Sequence, residues 1–189
     1  MPRLTVNDRP VEFDLDPEMP LLYALREALN LTGTKAGGGG DCSCGVCTVI
    51  VDGTALRSCK ITLAEAEGRY VTTIEGLSRD RSHPVQKAMV EAQAIQCGYC
   101  TPGIVMSAAA LLRRNAAPSR DDIVDAIPNM CRCGVYPRLV DAVERAGRAL
   151  REVEQIEEAA APPGTSASEA AEVVPAIRVP QEGGAGSER

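Results

Sequence analysis

The eight cysteines of this 189-residue chain fall into two groups of four. The first group has the spacing C-x-C-x2-C-x11-C and consists of Cys42, Cys44, Cys47 and Cys59. The second group has the spacing C-x2-C-x30-C-x-C and consists of Cys97, Cys100, Cys131 and Cys133. Four thiolates are the ligand set of a [2Fe–2S] cluster, and the C-x2-C-x11-C part of the first group follows the plant-type order. Two such clusters in one chain predict a relay for single electrons.

Spacing alone leaves two other uses of the cysteines open. Disulfides are typical of oxidising compartments, and the start of the chain lacks the charged segment followed by an apolar one that marks a secretory signal. Two zinc sites of four cysteines each are the stronger alternative, because C-x2-C is also a zinc-binding spacing. A zinc-stabilised interaction module would be colourless and inactive in redox reactions.

Composition excludes several classes of function. The net charge of −6 argues against nucleic-acid binding, since there is no basic excess to neutralise phosphates. His83 is the only histidine, so haem and mixed Cys/His zinc sites lack ligands; because it precedes Pro84, we expect it to cap a helix. No apolar stretch is long enough to predict direct membrane insertion. The expected location is cytoplasmic, with export alongside a signal-bearing partner as the alternative.

The cysteines of the first group lie in a predicted mixed α/β unit. Apolar alternation and turn residues predict strands over 4–6, 11–13, 48–51, 54–58 and 70–74, with a helix over 20–29. The cysteine loop therefore lies between a helix and a strand, which is the arrangement of plant-type ferredoxins.

The second group lies in a predicted unit of four helices. Three of them open at Pro84, Pro102 and Pro137, and one opens at a capping box that starts at Ser119. The cysteines come just before the second and fourth helix starts, where free N–H groups and partial positive charge stabilise an anion. Hydrogen bonds to sulfur raise a reduction potential. We therefore predict that this cluster is easier to reduce than an exposed ferredoxin-type cluster.

Several motifs resemble one protein family. They are Gly33-Thr34-Lys35, Cys44-Gly45-Val46-Cys47-Thr48, Gln96-Cys97-Gly98-Tyr99-Cys100-Thr101-Pro102-Gly103 and Cys131-Arg132-Cys133-Gly134. In this order they resemble the small [2Fe–2S] iron–sulfur subunit of the molybdenum hydroxylases, the xanthine oxidase and aldehyde oxidoreductase family. Met106 and Tyr136-Pro137-Arg138 resemble the isoquinoline 1-oxidoreductase and aldehyde dehydrogenase branch.

The resemblance implies an α+β fold. An N-terminal β-grasp plant-type ferredoxin domain would cover residues 1–78, and an all-α four-helix [2Fe–2S]-binding domain residues 79–156. Residues 157–189, rich in Ala, Pro and Gly, would form a tail that is flexible or extended on a partner.

The resemblance also implies a function. The chain would be the electron-transfer subunit of an oxidoreductase, without a substrate site of its own. A large subunit would carry a molybdenum pyranopterin, and electrons would pass through two [2Fe–2S] clusters to a flavin subunit, a cytochrome or another carrier. A stand-alone two-cluster ferredoxin is the alternative.

The family pattern assigns roles to individual residues. The proximal cluster would be held by Cys97, Cys100, Cys131 and Cys133. Of these, Cys133 would approach the pterin, and Gln96 would hydrogen-bond to it; the alternative for Gln96 is an ordinary helix-end amide.

The first cysteine group departs from the family pattern. The family has four residues between its first two cysteines, which would place the first ligand at position 38 or 39, and both positions are glycine. We hypothesise that Cys42 takes the missing place, completing a distal cluster with Cys44, Cys47 and Cys59. In the alternative, Cys42 is a spectator thiol.

Overall fold

The computed structural model describes residues 1–38 and 42–151. The predicted tail over 157–189 lies outside the described residues. The five strands are β1 (Arg3–Val6), β2 (Arg9–Glu12), β3 (Thr48–Val51), β4 (Thr54–Arg57) and β5 (Tyr70–Thr72). They form one sheet in the order β2-β1-β5-β3-β4, in which β1 and β5 are parallel and the other neighbours are antiparallel.

The opening hairpin forms where the sequence predicts it. Asn7 and Asp8 join β1 to β2 with φ angles of 48° and 65°. Two successive residues with positive φ make the tight turn that matches the twist of a two-stranded hairpin.

The helix predicted over 20–29 is α-helical for its first turn only. Helix α1 (Leu21–Tyr23) continues as a π-helical turn over Ala24–Ala28. The Arg26 guanidinium donates to the Thr32 and Thr34 carbonyl oxygens at 3.1 and 2.8 Å. These bonds tie the chain that leaves the helix to its last turn, where the backbone follows the wider i→i+5 pattern.

The rest of the described chain is helical. A short α2 (Ile74–Leu77) precedes α3 (Pro84–Glu91), α4 (Thr101–Arg114), α5 (Arg120–Ala126) and α6 (Tyr136–Leu150). The four predicted helices are confirmed, and so is the capping box between Ser119 and Asp122. His83 caps α3 as predicted, since its Nδ1 accepts from the Val85 N–H at 3.2 Å.

Strand β3 is buried on both faces, and this fixes how the two halves of the chain meet. Val49 and Val51 pack into the core that includes Leu21 and Leu25. Between them, Ile50 points the other way, into a cluster whose α4 members are Met106, Ala109 and Ala110. The loop before β3 and the loop before α4, which carry cysteines of the two groups, are thereby held close together.

No helix among residues 1–38 and 42–151 is long and apolar enough to cross a membrane.

Candidate metal centres

The cysteines of the second group are arranged as two pairs of thiols. Cys100 is hydrogen-bonded to Cys131, and Cys97 is hydrogen-bonded to Cys133. Cys100 is also the N-cap residue of α4, and Cys131 lies in the loop just before α6, which begins at Tyr136. The Cys100–Cys131 pair is buried, whereas Cys97 is exposed and Cys133 is half-buried. One pair therefore faces the interior and the other lies at the surface.

The inner pair has opposite pKa shifts. Burial, together with the hydrogen bond to Cys131, raises the pKa of Cys100 to about 12. Burial also acts to raise the pKa of Cys131, but the backbone N–H groups around Val135 and the Cys100 thiol donate to its sulfur and lower its pKa overall. Cys131 therefore loses its proton at a lower pH than Cys100. The backbone N–H groups of Cys133, Gly134 and Val135 surround its sulfur.

Two cysteines of the first group, Cys42 and Cys47, contact Cys59. The Sγ atoms of Cys47 and Cys59 are 3.2 Å apart. The Cys42 Sγ lies 3.9 Å from the Cys59 carbonyl oxygen, and the Cys42 thiol also contacts the Cys59 thiol. Burial raises the pKa of Cys59, and the hydrogen bonds to Cys47 and Cys42 raise it further.

Cys42 is held in an uncommon backbone conformation. Its φ is 54°, in the left-handed region that non-glycine residues seldom adopt. The Arg57 guanidinium donates to its carbonyl oxygen at 2.9 Å. The first ligand of the family pattern would be at position 38 or 39, but both are glycine and supply no thiol. Position 39 lies outside the described residues. The structure brings the hypothesised fourth ligand into contact with Cys59.

Cys44 is the member of this group that faces the second unit. It is 9% exposed and packs in the same core cluster as Cys100 and Cys131. Its carbonyl oxygen accepts from the Met130 N–H at 2.9 Å. The two cysteine loops are therefore in direct contact.

The donor set fits two [2Fe–2S] clusters. Each cluster takes four thiolates, two on each iron, and the paired thiols Cys47–Cys59, Cys97–Cys133 and Cys100–Cys131 match that two-by-two arrangement. All eight cysteines are free thiols. Across residues 1–38 and 42–151, no three ligating side chains converge at the spacing of a single metal ion.

Two residues beside the cysteines were missed by sequence reasoning. Asn129 is 2% exposed, and its side-chain amide donates to the Gly45 carbonyl oxygen at 2.7 Å. The Tyr136 hydroxyl accepts from the Cys131 N–H at 2.7 Å. Pro128-Asn129 is locally typical of a turn, and only its position two residues before a candidate ligand could have singled out this asparagine.

Gln96 lies in the loop between α3 and α4 and is exposed, next to the exposed Cys97. The structure thus places this predicted pterin-contacting residue at the surface where the outer cysteine pair lies.

Two families match consecutive parts of the chain. The 2Fe-2S iron-sulfur cluster binding domain matches residues 4–73, and the [2Fe-2S] binding domain matches residues 73–144. The predicted domain order is therefore confirmed, and the chain carries two [2Fe–2S]-binding domains.

Whole-length relatives and a solved structure agree with these matches. One subunit of the nicotinate dehydrogenase of Pseudomonas putida is 50% identical over 151 residues, covering 78% of this chain and 95% of the relative. The alpha subunit of the isoquinoline 1-oxidoreductase of Brevundimonas diminuta is 46% identical over 145 residues, covering 76% and 95%. The aldehyde oxidoreductase from Desulfovibrio desulfuricans superposes with a TM-score of 0.78 at 43% identity, covering 83% of this chain and 18% of that larger one.

Proposed function

Because the chain belongs to the [2Fe–2S] subunits of the molybdenum hydroxylases, we propose that it carries single electrons from a large subunit to an external acceptor. The electrons would come from a molybdenum pyranopterin that the large subunit holds, and they would leave to a flavin subunit, a cytochrome or another carrier. A [2Fe–2S] cluster, when bound, supplies one-electron chemistry. The chain is thus one part of an oxidoreductase, and the substrate is bound elsewhere.

The observation that carries this proposal is the contact between the two cysteine loops. The Met130 N–H donates to the Cys44 carbonyl oxygen at 2.9 Å, so the residue before Cys131 touches a candidate ligand of the other group. A protein that only stabilised two separate folds with metal would have no need to join its two ligand loops. A relay needs its two clusters close together, because the rate of electron transfer falls steeply with the distance between them.

The contacts between thiols support one division of the ligands between the irons. Cys97 and Cys133 would hold one iron of the proximal cluster, and Cys100 and Cys131 the other. In the distal cluster Cys47 and Cys59 would share one iron, which leaves Cys42 and Cys44 for the second.

The surface pair supports a docking position for the large subunit. Cys97 and Gln96 are exposed and Cys133 is half-buried, so this edge of the proximal site is open to a partner. We assign Cys133 as the ligand on the pterin side and Gln96 as a pterin contact.

The test begins with purification of the protein together with any co-eluting proteins, and with an assay of its iron content. Low-temperature EPR is then recorded on the dithionite-reduced sample. Two distinct S = 1/2 signals and a large co-eluting molybdenum protein are expected. Two signals from a chain that elutes alone would favour a stand-alone ferredoxin. Zinc in place of iron would contradict the proposal.

A further inference from the structure

We propose that Asn129 is a positioning residue that holds the two cysteine loops in one fixed geometry and so sets the coupling between the two clusters. The inference rests on the proposed function, because it assumes a cluster in each loop. Asn129 is not a candidate ligand. It lies two residues before Cys131 and is 2% exposed.

The side-chain amide of Asn129 is fully hydrogen-bonded. Its Nδ2 donates to the Gly45 carbonyl oxygen at 2.7 Å and to the Thr48 Oγ1 at 3.3 Å. Its Oδ1 accepts from the Ser107 Oγ at 2.9 Å. The Thr48 hydroxyl donates its own proton to the Gly45 carbonyl oxygen at 2.7 Å. Both amide donors are therefore used, and the orientation of the amide is fixed.

These side-chain bonds connect the first cysteine loop to α4. Gly45 and Thr48 enclose Cys47 in the first cysteine loop. Ser107 belongs to α4, which begins immediately after Cys100. A buried polar network with all its members satisfied rigidifies the structure around it.

The main chain of Asn129 completes the connection to the second loop. Its carbonyl oxygen accepts from the Tyr136 hydroxyl at 3.3 Å, and the same hydroxyl accepts from the Cys131 N–H at 2.7 Å. One asparagine thus links the first loop, α4 and the start of α6.

The backbone of the first loop is shaped to receive this amide. Gly45 has a φ of 71°, and a Cβ atom at this position would lie 2.8 Å from the Asn129 Nδ2. Besides the Met130–Cys44 backbone bond, another side-chain contact joins the loops, from the Tyr99 hydroxyl to the Ala36 carbonyl oxygen, and it is made by a side chain that is 51% exposed. Water competes for the hydrogen bond of the exposed Tyr99 hydroxyl. The buried Asn129 amide therefore constrains the position of the loops more strongly than Tyr99 does.

The test uses the full chain with both clusters and the variant Asn129→Asp. This change keeps the size of the side chain but replaces the donor that faces the Gly45 carbonyl oxygen with an acceptor. Both EPR signals should remain, with a smaller magnetic splitting between them in the fully reduced protein. Electron transfer between the clusters should be slower than in the unsubstituted chain, because the loops are no longer held in one geometry.

The matched control is Asn115→Asp at the other end of α4. Asn115 is exposed, and its Oδ1 accepts from the Ala117 N–H, a bond that aspartate retains. We expect no change in splitting or rate for this variant.

A second variant covers the case in which Asn129→Asp loses a cluster. Thr48→Val removes only the hydroxyl from the network, and hydrogen exchange at the Met130 amide then reports the loop contact directly. Faster exchange together with a smaller splitting supports the inference. Unchanged splitting, rate and Met130 exchange in these variants would overturn it. If the unsubstituted chain lacks two [2Fe–2S] signals, the proposed function itself fails.

Discussion

A Cβ atom added at Gly103 would lie 2.4 Å from the carbonyl oxygen of Gly45. The first turn of α4 therefore touches the backbone of the first cysteine loop without a side chain between them. Since Gly103 follows Cys100 by three residues and Gly45 follows Cys44 directly, this close approach lets the two ligand loops lie near enough for the Asn129 amide to join them.

Gly103→Ala should force the loops apart. Overpacking of this kind costs about 1–3 kcal/mol in the free energy of unfolding, and the EPR splitting between the clusters should fall. The control is Gly147→Ala, whose Cβ would lie 2.6 Å from the Ala116 carbonyl oxygen, away from the cysteine loops. It should lower stability but leave the splitting intact. An equal spectral effect of the two variants would contradict the assignment.

Cys42→Ser should remove the distal cluster and spare the proximal one. Its thiol contacts Cys59, and a [2Fe–2S] cluster needs four ligands, so iron content should fall to about half. One EPR signal should disappear. The control Cys97→Ser should instead remove the other signal. An unchanged spectrum for Cys42→Ser would make this thiol a spectator.

The proximal cluster should have the higher reduction potential. The backbone N–H groups of Val135, Cys133 and Gly134 donate to the Cys131 sulfur, and hydrogen bonds to sulfur stabilise the additional negative charge of the reduced state. An EPR-monitored redox titration of the full chain measures both midpoints. A lower midpoint for the signal that Cys97→Ser removes would refute this prediction.

His83 should make stability depend on pH. Burial, with a contribution from the positive charge of Arg113, lowers its pKa below the ordinary value of 6.5. Below that value the unfolded chain binds more protons than the folded one, so stability is complete above it and falls as the pH decreases toward the folded pKa.

Urea unfolding at about pH 7.5 and about pH 5.5 measures this effect. The control His83→Asn keeps a capping oxygen but does not titrate, so it should lose less stability over the same interval. An equal loss in both proteins would show that His83 is not responsible.

The sequence predicted those features that depend on near neighbours in the chain. Asn7-Asp8 defines a turn, His83-Pro84 and Ser119 define helix starts, and the spacing of the cysteines defines their chemistry. These are local signals because a turn, a cap or a ligand pair is formed within a few residues. The main local exception is the π-helical turn over Ala24–Ala28, since Leu21, Leu22, Leu25 and Leu29 have the spacing of an ordinary α-helix and give no sign of the wider turn.

The relation between the two halves was decided by tertiary packing. Thr48-Val49-Ile50-Val51 predicts a strand, but nothing in that run says that α4 covers its second face. Asn129 and Gly45 are 84 residues apart, and the bond between them exists only once β3 and α4 have packed. The position of Cys42 was open for the same reason, because the glycine run before it allows many loop paths. Contacts with Cys59 and Arg57, made across the fold, select the one that the structure adopts.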